Sequence, residues 1–207
     1  ISGKTTSGVT SYEVTSFGVT NAYCVDSSDP APLAEIASVN GITMTYGACT
    51  DWTSGSAGVT IDGVTFSNYA AAESSNGSTS TTLATSKPSG NSYWIFEPTE
   101  DGTLTLAVHN VGTGKAICVW EDGTQIGATL VDVDGTTSSA LTTTTLSAGG
   151  TLPSSSSWSG GIRFEAKARS TYTYYLAGSK GRLCGFIFNS ANAVTTETTL
   201  FSLDVTS

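Results

Sequence analysis

The chain has 207 residues, 38% of them hydrophobic and only 12% charged, with a formal net charge of -9 and a pI near 4.3. Too few charges and too many aromatics exclude a disordered chain. The acidity opposes nucleic acid and anionic membranes as partners, and no run of about 18 apolar residues could span a bilayer. Abundant Gly, Ser and Thr fit one extracellular β domain over residues 1–207, solvated by hydroxyls and backbone.

Period-two alternation predicts strands over residues 12–19, 41–46, 58–66, 92–97, 103–109, 116–121, 160–169, 171–176, 181–188 and 198–205. Leu104, Leu106 and Val108 between Thr103, Thr105 and Ala107 are the clearest case. The one helical signal is at 29–37, where Asp29 precedes Pro30 and Leu33 and Ile36 follow at helical spacing. Turn residues separate the strands at Glu100-Asp101-Gly102, Glu121-Asp122-Gly123, Asp134-Gly135 and 178–181. Segments 74–86 and 136–157 are rich in Ser, Thr and Gly and read as long surface loops. Gly-Val-Thr recurs at 8, 18, 58 and 63, too irregularly for a solenoid. Many short strands with such turns predict an all-β, antiparallel β-sandwich, jelly-roll-like, with at most one short helix.

Tyr93-Trp94-Ile95-Phe96-Glu97-Pro98 followed by Glu100-Asp101-Gly102-Thr103-Leu104-Thr105-Leu106 resembles a strand and turn of β-sandwich modules appended to pectate lyases and other microbial plant-cell-wall-degrading enzymes. Ile117-Cys118-Val119-Trp120-Glu121-Asp122-Gly123 is similar to their next strand and hairpin, and Tyr174-Tyr175-Leu176 through Gly181-Arg182-Leu183-Cys184-Gly185-Phe186 to their closing hairpin. The resemblance covers roughly residues 90 to 190 and leaves the N-terminal half as an elaboration. It implies a noncatalytic carbohydrate-binding module, secreted or attached to a cell surface or enzyme complex. Its partner would be a polysaccharide, and a catalytic domain would be covalently linked in the full-length protein. A start at Ile1, with neither Met nor an apolar leader, reads as a processed or excised piece.

A pyranose ring offers a C–H face that stacks on an aromatic ring. Trp94 and Trp120 lie inside strand patterns and read as core, whereas Trp52 and Trp158 sit among small polar residues typical of loops. Trp52 and Trp158, with Tyr46, are therefore candidate sugar platforms, the alternative being rings folded back as a lid on the core. In 163–169 the odd positions Arg163, Glu165, Lys167 and Arg169 are charged and the even ones apolar, which places cations on one strand face. Either that face is solvated, or Arg163, Lys167 and Arg169 receive an acidic glycan such as polygalacturonate. The two tryptophans favour a neutral β-glucan or xyloglucan; the cations favour pectin.

Catalysis has little support. The lone His109 has no Gly-x-Ser-x-Gly elbow to serve, Gly112-Thr113-Gly114-Lys115 lacks phosphate-loop spacing, and the carboxylates fall mostly in turns. A lyase or hydrolase is the least favoured reading, and a structural or adhesive cell-surface module is the alternative to sugar binding. No cofactor is expected, though Asp132 and Asp134, in Asp132-Val133-Asp134-Gly135, resemble the opening of a structural calcium loop or else form a polar turn. Cys24, Cys49, Cys118 and Cys184 lack metal or redox spacing. They fit either disulfides, most simply Cys24 with Cys49 and Cys118 with Cys184, or buried thiols.

Overall fold

Side chains alternate across a strand, so an antiparallel sheet with one buried face needs apolar residues two apart, and a strand buried on both faces needs an unbroken apolar run. Both patterns occur in the computed structural model, which describes residues 2–6, 9–13, 22–24, 37–39, 41–47, 52–72, 93–136, 141, 143–176 and 182–192. The described residues form strands and turns, without a helix. The strands are β1 (Ser2–Thr6), β2 (Val9–Glu13), β3 (Ala22–Cys24), β4 (Ala37–Val39), β5 (Ile42–Gly47) and β6 (Trp52–Ile61). They continue as β7 (Val64–Ala72), β8 (Tyr93–Pro98), β9 (Gly102–Val111), β10 (Ile117–Glu121) and β11 (Thr124–Ile126). The remainder are β12 (Ala128–Asp132), β13 (Thr145–Leu146), β14 (Trp158–Ala166), β15 (Tyr172–Leu176) and β16 (Arg182–Ser190).

The predicted antiparallel β-sandwich is the observed fold. A smaller sheet runs β11-β10-β15-β8-β5-β4, and a larger one runs β13-β12-β14-β9-β16-β7-β6, with β3 also paired to β16. Between them lies the main core. The smaller sheet contributes Met44, Trp94, Phe96, Val119, Tyr172 and Tyr174, and the larger one Leu104, Leu106, Ile162, Phe164, Phe186 and Phe188. β1 and β2 pair as a separate two-stranded hairpin.

The outer face of the larger sheet is covered as well. Among the described residues β7 pairs with β16 through Ala70 and Ala71, and further along β16 its place is taken by β3, with Cys24 opposite Gly185. The far end of the β6–β7 hairpin crosses the sheet instead, and Val59, Ile61 and Phe66 pack on Ala107, Cys184 and Ile187 in a second core. The hairpin turns at Asp62 and Gly63, both at positive φ, the geometry of a tight two-residue hairpin. Gly185, at φ +146, makes this overlay possible: a Cβ there would collide with the Tyr23 carbonyl and lie 2.9 Å from the Phe66 ring.

Several expectations need correction. Residues 58–66 are not one strand but the two arms of this hairpin, broken at Asp62-Gly63. The basic strand ends at Ala166, and Arg169 turns the chain at φ +69. The loop at 136–157 contains β13, and Thr151 bridges Ala116. Of the helix expected at 29–37, residues 29–36 lie outside the described residues and Ala37 begins β4. Segments 14–19, 74–86, 178–181 and 198–205 also lie outside them.

Candidate functional site

Two irregularities in neighbouring strands shape the most chemically varied surface. Trp158 pairs with Val111 but Gly160 with Val108, so β9 carries an extra residue at His109-Asn110, where Asn110 adopts φ +51. A bulge of this kind re-aims a side chain and leaves a backbone group without its ladder partner. Here the Asn110 N–H donates to Ser159 Oγ at 2.9 Å. A second bulge at Cys184-Gly185 puts Cys184 on the face it shares with Ala107. Tyr69 stands where β7 leaves the sheet, one residue beyond the Ala70 pairing.

These distortions bring four strands to one patch. The His109 imidazole stacks on Tyr69, with ring centroids 5.2 Å apart and planes 13° from parallel. The Arg182 guanidinium lies over the same tyrosine, 5.1 Å from its centroid, within the range of a cation–π contact. Ser159 Oγ is 3.5 Å from His109 Nδ1. Tyr69, His109, Ser159 and Arg182 are all half-buried, and Asn110 is exposed. Burial, and secondarily the Arg182 charge, lower the His109 pKa and so favour the neutral imidazole.

The Ser159–His109 contact is longer than the roughly 2.6–3.2 Å reach of a nucleophile and its base, and no carboxylate is found to orient the imidazole among the described residues. The patch is instead suited to stacking and hydrogen bonding. Of its members, His109 and Arg182 stand out in the sequence as the only histidine and as one of a run of cations. Tyr69, followed by three alanines, gives no such signal, because its role comes from where the hairpin departs.

The residues expected to bind sugar are scattered. Trp158 is 3% exposed in the main core, its Nε1–H donating to Asp132 Oδ1 at 3.2 Å, so the ring is core and not a solvent-facing platform. Gly160 makes room, since a Cβ there would strike the indole. Trp94 and Trp120 are buried, as expected. Trp52 begins β6 opposite Ala72, and Tyr46 in β5 pairs with Trp94; their side chains lie outside the description. Arg163 donates from Nε to Thr105 Oγ1 at 2.9 Å and forms an ion pair with Asp62, which fastens the hairpin turn to β14. Lys167 pairs with Glu121 at 2.8 Å, whereas Arg169 is exposed in its turn. The three cations therefore do not share one strand face.

Asp132 and Asp134 also have other work. Asp134 accepts from the Asp62 N–H at 3.1 Å and from the Gly63 N–H at 2.7 Å, capping the same turn that Arg163 holds. Calcium needs six to eight oxygens, and no group of three or more His, Cys, Asp or Glu gathers among the described residues. Cys24, Cys118 and Cys184 are thiols, and Cys49 lies outside the described residues. Cys118 packs with Trp120 and Tyr93, apart from Cys184 under the hairpin, so the pairing expected between Cys118 and Cys184 is not formed. Burial pushes the thiol pKa of Cys118 up to about 11 and that of Cys184 to about 12. No protein-family model matches the chain, and no curated protein matches it as a relative.

Proposed function

We propose that the chain is a noncatalytic carbohydrate-binding module that holds a plant cell-wall polysaccharide and, in a longer secreted protein, localises a linked catalytic domain. The observation that carries this reading is the half-buried Tyr69–His109 stack beside the Arg182 and Asn110 hydrogen-bonding groups. The Tyr69 ring is engaged by His109 and Arg182, so a sugar would set its C–H groups against the outer side of this cluster while its hydroxyls take the flanking donors and acceptors. Linkage to an enzyme would raise that enzyme's local concentration at its substrate without any chemistry in the module itself.

A structural or adhesive module is the second reading, favoured by the burial of Trp94, Trp120 and Trp158, which leaves those large rings to the core. Affinity electrophoresis against xyloglucan, mixed-linkage glucan, xylan, mannan and polygalacturonate separates the two. Retardation by at least one glycan, lost in Tyr69→Ala, is the expected result. Free migration through every gel would leave the structural reading in its place.

A further inference from the structure

We propose that the Tyr69–His109–Arg182 patch takes a sugar bearing a carboxylate, a hexuronate, with the Arg182 guanidinium receiving that carboxylate. This rests on the carbohydrate-binding reading and narrows it to acidic sugars. In a protein of net charge -9, cations are expected to find carboxylates. Arg163 is paired to Asp62 and Lys167 to Glu121. Arg182 is half-buried, yet has no carboxylate partner among the described residues; its contact is the Tyr69 ring.

Packing against the ring holds the guanidinium in place without using up its N–H donors, since a cation–π contact engages the charge and not the hydrogens. A planar fork of donors matches a carboxylate in two parallel hydrogen bonds. Among the described residues, the groups facing His109 are Tyr69 from β7, Ser159 from β14 and Arg182 from β16, of which Arg182 alone is charged. An arriving anion therefore finds one cation, Arg182, among the described groups of the patch. Burial of Trp158 points the same way, because it removes one of the two platforms expected for a neutral glucan.

His109 is the only histidine in the chain, so its imidazole NMR signals report on the patch without ambiguity. The test titrates them with pH in the presence of trigalacturonate or neutral cellotriose, for the unmodified protein and for Arg182→Gln and Arg182→Lys. A bound carboxylate favours the imidazolium, so trigalacturonate should raise the His109 pKa and cellotriose should not. Binding then takes up a proton, and affinity for trigalacturonate should increase as pH falls through the His109 titration while the uronate stays ionised. Trigalacturonate should bind about ten-fold more tightly than cellotriose, the size of a charge-assisted hydrogen-bond contribution. That preference should vanish in Arg182→Gln and partly survive in Arg182→Lys, with weak cellotriose binding persisting throughout. Equal or tighter binding of cellotriose, or a preference unchanged by Arg182→Gln, overturns the acidic-sugar assignment and leaves carbohydrate binding standing. Unperturbed His109 signals with both sugars overturn the assignment of this patch, whereas the carbohydrate-binding reading itself falls only if no glycan retards the protein in affinity electrophoresis.

Discussion

The two apolar cores differ in how they are made. The core between the sheets is filled by residues two apart on strands of both layers, such as Leu104, Leu106 and Val108 facing Trp94, Phe96 and Tyr174. The core on the outer face forms because a hairpin distant in sequence lies across the larger sheet and places Val59, Ile61 and Phe66 on Ala107 and Ile187. As a result β9 is buried on both sides from Leu104 to Val108, a condition more usual for a parallel strand. The polar patch forms at the margin of that cover, where β7 leaves the sheet and β9 bulges. The cover and the candidate site are therefore two consequences of one departure from regular pairing.

The largest expected effects come from emptying each core in turn. Trp158→Ala and Phe66→Ala should each cost about 3–5 kcal/mol by urea denaturation, the usual range for deleting a buried aromatic. They should differ in hydrogen exchange: Phe66→Ala should lose amide protection first in β6 and β7, and Trp158→Ala across both sheets. Identical patterns would mean that the hairpin is not a separable cover. A smaller loss, about 1–2 kcal/mol, is expected for Asp134→Ala, which removes the carboxylate from the Asp62 and Gly63 N–H groups. Chelation by EDTA should leave the unmodified protein's midpoint unchanged; a matching loss would assign Asp134 to a metal. The smallest change is a gain. Tyr174 buries its hydroxyl without a hydrogen-bond partner among the described residues, so Tyr174→Phe should stabilise the main core by about 1 kcal/mol.

Most strands of the main core were legible because alternation is a local signal, and the turns at Asp122-Gly123 and Asp134-Gly135 fall where their residues place them. The hairpin was not. Its apolar residues Val59, Ile61, Val64 and Phe66 look like one slightly irregular strand, and only the two residues at Asp62-Gly63 reverse the chain. Charge alternation similarly carries on past the end of β14, so Arg169 looked like a strand residue. Trp158 is ambiguous in sequence because Ser157, Ser159 and Gly160 around it suit a loop, while Gly160 is also what gives the indole its space when it folds back into the core. Arg163 and Asp134 are open in sequence to a ligand-binding or a structural reading, because sequence reveals charge but not partner. In the structure both contact the hairpin turn. His109 and Arg182 were visible singly, and their meeting with Tyr69 depended on bulges that no local pattern announces.

Amide chemical-shift mapping of the whole chain with trigalacturonate tests the site assignment most directly. The largest perturbations should fall on Tyr69, His109, Asn110, Ser159 and Arg182, four strands brought together only by the bulges and the departing hairpin. Perturbations centred on Trp52 or Tyr46, with the Tyr69–His109 patch silent, would contradict that assignment.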